Sequence, residues 1–262
     1  MDTLQASLSI LQKGSIWLYI LRGVAFTLII SVIAVVVGIV IGSVLALVRN
    51  YCKKNFVFRW LATIYIEVFR NTPLLLWIFI CLVFCPCPSL FSRKMLGLTS
   101  VETKLLFKAA VALILFTSSV IAEIIRGGLN SVDEGQFEAG YSQGFGTVQV
   151  MIYIVLPQAF KNVVPTLLSQ VITTIKDSSY LANVATIELM ARVKKIMSTA
   201  NMYNGTGTIN VSDVFVLFGL AALIYFVINF SLSCVVRTMQ KRTRQSAARP
   251  AATDIKAECV EG

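Results

Sequence analysis

From Val24 to Val48 the chain carries no charged side chain. At 1.5 Å per residue a helix over that stretch reaches about 38 Å, enough to cross roughly 30 Å of hydrocarbon with some tilt. Four more apolar stretches follow, and the pattern predicts membrane spans over residues 24–48, 64–84, 105–125, 164–190 and 214–236. The second is interrupted. Trp60–Val68 is apolar around Glu67, Arg70-Asn71-Thr72-Pro73 breaks the run, and Leu74–Phe84 resumes it, so Pro73 predicts a bend in or near the membrane. The third contains Glu123 and closes at Arg126-Gly127-Gly128; the fourth passes through Lys176-Asp177-Ser178-Ser179. Gly38 and Gly42 have the spacing that lets a neighbouring helix approach closely, read here as packing inside a bundle.

Between the spans, residues 85–104 and 192–213 read as loops, the latter holding Asn204-Gly205-Thr206-Gly207, and 129–163 is the longest polar stretch. Ahead of the first span, Leu4, Leu8, Leu11, Trp17 and Ile20 recur at helical spacing among polar residues. Residues 1–23 are therefore expected to form an amphipathic segment on the membrane surface, retained because Met1-Asp2-Thr3 lacks a basic signal-peptide start. The tail, 237–262, is basic and expected to be disordered and cytoplasmic.

Composition sharpens this picture. Only 14 % of residues are charged, against about a quarter in a soluble domain. The net charge of +10 sits at span ends (Arg49, Lys53, Lys54, Arg59) and in the tail, beside anionic lipid, so no nucleic-acid partner is expected. Five spans with the tail inside place the N-terminus outside and the C-terminus in the cytoplasm, with twelve bases in the inner segments against ten in the outer.

The chain has no histidine, which removes the commonest general base and metal ligand. Ser178 and Ser179 beside Lys176 are the only hint of a nucleophile–base pair, and residues so close in sequence do not face each other on a helix. No catalytic residue and no metal site is assigned. Cys81, Cys85 and Cys87 crowd one span end, with Cys52, Cys234 and Cys259 elsewhere; they read as small apolar residues closing a helix rather than as a zinc site. Charges inside a membrane are expensive and functional by default, so Glu67, Arg70, Glu123, Lys176 and Asp177 are candidates for a solute pathway, weighed against pairing among themselves or anchoring at the interface.

The most informative stretch is Glu138-Ala139-Gly140, three residues, Gly144, nine residues, then Ile154-Val155-Leu156-Pro157. It resembles the EAA loop of ABC-type importer permeases, departing only in Gly140 where a second Ala is usual. Glu67-Val-Phe-Arg70-Asn71-Thr72-Pro73, Ala122-Glu123-Ile-Ile-Arg126-Gly127-Gly128, Leu156-Pro157-Gln158-Ala159 and Lys176-Asp177-Ser178-Ser179 are similar to the branch that imports polar amino acids, histidine and glutamine permeases among them. The resemblance covers about residues 24–236.

The resemblance implies an all-α integral membrane bundle of about five transmembrane helices, like type I ABC importer permeases, with a cytoplasmic coupling loop over 129–163. It implies a bacterial inner-membrane permease for glutamine-, histidine- or arginine-like amino acids, supplied by an extracytoplasmic binding protein and paired with a second copy or a paralogue. Glu138, Ala139, Gly140, Gly144, Ile154, Leu156 and Pro157 would engage ABC ATPase subunits, Gly144 supplying a turn and Pro157 ending or redirecting the second helix. The chain has no G-x-x-x-x-G-K-[S/T] phosphate cradle, so no cofactor is expected on it and ATP would bind the partner. An ion-gradient-driven secondary amino-acid transporter would explain the spans equally well but not the loop at 138–157.

Overall fold

The computed structural model describes residues 2–52, 55–94, 97–184, 186–202 and 207–258. Lys53, Lys54, Asn204, Gly205, Thr206 and Cys259, named above, lie outside the described residues. All regular elements among the described residues are helical: α1 Asp2–Leu11, α2 Gly14–Tyr51, α3 Phe56–Arg70, α4 Leu74–Phe84, α5 Ser100–Asn130, α6 Glu134–Ser142, α7 Thr147–Val150, α8 Leu156–Asp177, α9 Leu189–Ser198 and α10 Val211–Glu258. Four helical stretches, 14–51, 100–130, 147–184 and 211–241, are each long and apolar enough to cross a membrane, and the bent pair α3–α4 makes a fifth if counted as one span.

The bundle is organised on α2 and α5. A Cβ at Gly42 would lie 2.9 Å from both the Ala122 nitrogen and the Ser118 carbonyl oxygen, and one at Gly38 3.2 Å from Ile121. The two backbones therefore touch without side chains between them, which is how helices associate where lipid offers no hydrophobic drive. Outward along α5, Ala109, Ala112 and Leu113 pack on Ile30 and Ala34 of α2 and on Leu74, Ile78 and Cys81 of α4. The start of α5 is set by Thr99, whose hydroxyl accepts from the Glu102 amide while the Glu102 carboxylate accepts from the Thr99 amide.

Several expected boundaries differ. Residues 14–23 are the first turns of α2, where Ile16 and Ile20 pack against α9 and α10. α1 buries Ile10 in that same core, and its Ser7 hydroxyl donates to Asp213 at 2.6 Å, so the first segment is tied to the start of α10 while Leu4 and Leu8 stay exposed. The expected span 164–190 is broken. α8 ends at Asp177, a 3-10 turn carries the chain to Val184, and α9 occupies residues read as loop. The break is held by polar contacts: fully buried Glu188 accepts from the amides of Met190 and Ala191, both at 2.7 Å, and from the Tyr225 hydroxyl at 3.2 Å. Thr27 of α2 accepts from the Leu189 amide at 3.1 Å. Pro157 begins α8 rather than ending a helix; a π-helical turn, Met151–Val155, precedes it and accommodates its missing N–H. The tail read as disordered continues α10 to Glu258.

Gly42→Ala is expected to lower the thermal stability of the purified chain clearly more than Gly38→Ala, by about 1–3 kcal/mol of overpacking. At Gly42 the added methyl meets backbone, whereas at Gly38 it first meets the mobile end of Ile121. Melting in one detergent checks the order.

Candidate functional site

Residues 133–157 fold as a helical hairpin beyond the end of α5. Asp133 caps α6, its carboxylate accepting from the Gly135 amide at 2.8 Å. α6 ends on Gly144, whose φ of +80° is open to glycine at little cost. The Phe145 amide reaches back to the Gly140 carbonyl at 3.1 Å and the Gly144 amide to Tyr141 at 2.9 Å, closing the helix end in a Schellman arrangement. Gly140 sits where the two arms meet. A Cβ there would lie 2.8 Å from Ile154 Cδ1 and 2.9 Å from Val150 Cγ2.

The hairpin is welded to two spans. Val150 and Val155 share a small core with Leu129 at the end of α5, Val132 just beyond it and Ala159 at the start of α8. Gln158 donates to Gln136 and Asn162 to Ser131, both at 2.9 Å. A Cβ at Gly128 would fall 1.9 Å from Val163, so α5 and α8 cross in direct contact beside this core. A push on the hairpin therefore moves the ends of α5 and α8 together. Gly140, Ile154 and Leu156 face inward, while Glu138, Ala139 and Pro157 are exposed. Along the hairpin bulky apolar side chains are exposed, Tyr141, Phe145, Val148, Ile152 and Tyr153 among them.

The five charged pathway candidates separate into two groups. Glu67, Arg70 and Glu123 come together at the hairpin end of the bundle. Arg49 of α2 donates to Glu67 at 2.9 Å and to Glu123 at 3.1 Å, Arg70 lies 3.8 Å from Glu123, and Arg126 also binds Glu123. The network ties α2, α3 and α5 just above the hairpin. Arg49 was read from sequence only as a base at a span end; its role depends on carboxylates 18 and 74 residues away, which spacing does not reveal.

Lys176 and Asp177 stand apart from that network, at the end of α8. Lys176 is exposed and Asp177 half-buried. Lys176 completes a stripe with Asn162, Thr166, Ser169 and Thr173, spaced at three and four residues along one face of α8 and exposed or half-exposed throughout. This stripe went unread in the sequence, although its polar spacing was there to be counted. Ser169 and Thr173 donate to carbonyls one turn back in α8, while Asn162 and Lys176 put an amide and an ammonium on the same face, groups that lipid solvates poorly. Among the described residues no group of three or more His, Cys, Asp or Glu side chains is placed to hold a metal ion.

Residues 38–245 match the family model of binding-protein-dependent transport system inner membrane components. The chain is 37% identical over 224 residues to the probable glutamine ABC transporter permease protein GlnM of Bacillus subtilis (strain 168), covering 86% of this chain and 93% of that protein. It is 30% identical to the arginine transport system permease protein ArtQ of the same organism, covering 87% and 94%. It is 35% identical to the glutamate/aspartate import permease protein GltK of Escherichia coli O157:H7, covering 86% and 93%. Among solved structures, a chain of an amino acid ABC transporter crystallised with histidines superposes with a TM-score of 0.71 at 26% identity, covering 89% of this chain and 98% of that one. A chain of the MetNI methionine ABC transporter in an inward-facing conformation gives 0.60 at 21% identity, covering 87% and 99%, a likeness of fold.

Two outcomes follow from the geometry. Glu123→Gln is expected to destabilise the purified chain by about 1–3 kcal/mol, because Arg49 and Arg126 lose a charged partner in a half-buried site. Glu67→Gln should cost less, since Glu67 is nearly half exposed at 46%. Parallel melting curves settle the order. Gly144→Ala should weaken the hairpin by about 1–2 kcal/mol, and Gly144→Asn by less, because Asn tolerates positive φ and nothing crowds the position. Hydrogen exchange of the 134–155 amides reads the difference.

Proposed function

The chain belongs to the family of binding-protein-dependent transport system inner membrane components, and from that premise we propose that it passes polar amino acids through the bacterial inner membrane as they arrive from an extracytoplasmic binding protein. It is a multi-pass permease subunit of an ABC importer, a transport component rather than an enzyme. In the proposed orientation the 134–155 hairpin is cytoplasmic, the N-terminus lies outside and the C-terminus inside.

The observation that carries this reading is the hairpin. Its exposed apolar side chains suit a protein partner, and its core is continuous with α5 and α8. An ATPase dimer seated on it would transmit closure on ATP into those two spans, as differential binding of two bundle conformations. The polar stripe of α8 supports a path shared with a second permease copy or a paralogue. Lys176 and Asp177, at one end of the stripe, suit the α-carboxylate and α-ammonium that glutamine, arginine and glutamate have in common; those are the solutes named for the relatives. Glu67, Arg70 and Glu123 then serve to hold the inner ends of α2, α3 and α5, and solute contact falls to α8.

Mass spectrometry of what co-purifies with the tagged chain in mild detergent tests the hairpin. An ABC ATPase is expected with wild type and lost with Gly144→Asp. A folded, monodisperse wild type without any ATPase, with uptake that ignores ATP and collapses with an ion gradient, would move the chain to the secondary-transporter class. For the pathway, Lys176→Gln is expected to raise the KM of ATP-driven uptake about tenfold while leaving ATPase co-purification intact. An unchanged KM removes Lys176 from the path.

A further inference from the structure

α3 fits neither a span nor a packed bundle helix. Its 15 residues reach about 22 Å, short of the hydrocarbon thickness, and its axis turns through 112° into α4. α4 follows α5: Leu74, Ile78 and Cys81 pack on Ala109, Ala112 and Leu113, and the Lys108 ammonium donates to the Leu82 carbonyl at 2.8 Å. With α4 along the bundle, α3 runs across it.

The two halves of α3 differ sharply. The second half is docked. Ala62, Ile66 and Phe69 are buried, Phe69 stacks on Trp77 at 4.1 Å, and the Tyr65 hydroxyl donates to the Leu115 carbonyl at 2.9 Å. Its last turn delivers Glu67 and Arg70 to the ion-pair network at the hairpin end of α2 and α5, which sets the depth of the helix. The first half stands clear of the bundle: Phe56, Val57, Phe58, Trp60 and Leu61 are between 51% and 74% exposed. At 100° per residue these five spread over an arc of about 200°, wider than the stripe one neighbouring helix covers, with Arg59 in the remaining gap. A protein partner covers a stripe of about 100° on a helix, whereas an exposed apolar face twice that width calls for an apolar solvent. The one charge among them is Arg59, and the sequence places Lys53 and Lys54 just ahead.

We propose that α3 is an in-plane membrane helix, its first two turns embedded in the leaflet on the hairpin side and Arg59 reaching out of the hydrocarbon to bind anionic lipid headgroups. This is independent of which solute the chain carries. Lipid would then bear on one end of the helix whose other end holds the Arg49–Glu67–Glu123 network.

Two measurements test it. In the first, spin labels are attached one at a time to Val57→Cys, Phe58→Cys, Leu61→Cys, Ile64→Cys and Val68→Cys in a background without native cysteines, in vesicles with about a quarter phosphatidylglycerol in phosphatidylcholine. Collision rates with oxygen and with a nickel chelate should show depths that oscillate with the helical period about a level mean. A steady change of about 16 Å from residue 57 to 68 would make α3 half of a span, and labels at 57, 58 and 61 shielded from both reagents would make it a contact with a second copy; either overturns the proposal. The second keeps the native cysteines: native mass spectrometry of the chain released from the same vesicles. Wild type and Arg59→Lys should retain phosphatidylglycerol over phosphatidylcholine, and Arg59→Gln should lose about fivefold of that preference while Arg93→Gln, in the loop at the other end, loses none. Equal retention by wild type and Arg59→Gln would refute the headgroup contact.

Discussion

The rest of the structure depends on the contact between α2 and α5. In lipid, two apolar helices gain nothing by hiding from their solvent, so they hold together by close packing and by polar contacts. Gly38 and Gly42 let α2 lie directly on the backbone of α5 beside Ser118, Ile121 and Ala122. From that seam the first half of α5 receives α4, and its second half brings Glu123 within reach of Arg49 and Arg70. Without the close approach, Arg49 would face two carboxylates across a gap, and a charge at membrane depth tolerates no such gap.

The same economy shapes the ends of the bundle. At the hairpin end, Gly128 lets α8 cross α5 as closely as Gly42 lets α2 approach it, so the 134–155 hairpin rests on two spans that are themselves in contact. At the other end Gly23 lets α2 approach the backbone of α9 at Leu189, and buried polar contacts are added to that approach. Glu188 caps α9 and binds Tyr225, Thr27 accepts from Leu189, and Arg192 lies over the ring of Tyr19 at 4.3 Å. The two ends thus differ in emphasis: the hairpin end is a packed unit on α5 and α8, and the other end adds buried polar links around a broken helix to its own apolar core.

The functional consequence is a division of labour among the charges. A sequence offers Glu67, Arg70, Glu123, Lys176 and Asp177 as equivalent oddities in apolar surroundings. In three dimensions Glu67 and Glu123 pair with Arg49, Arg70 and Arg126 and hold three helices together, and Lys176 and Asp177 end a polar face of α8.

By itself the sequence determined the membrane class, the rough positions of the spans, the family and the turn of the 134–155 hairpin. Each of these is written in one dimension: the length of an apolar run, or residues at fixed spacing such as Gly144 after Glu138-Ala139-Gly140. Tertiary structure alone decided which charges pair, that residues 14–23 extend the first span, that the chain turns back into α9 after Val184, that α3 runs across the bundle, and which face of α8 is left uncovered. Those outcomes rest on contacts between residues far apart in the chain, Arg49 with Glu123 and Thr27 with Leu189 among them, and on which surfaces remain once the close-packed seams are made. Local pattern says what a segment is able to bury; only the assembled bundle says what it buries against.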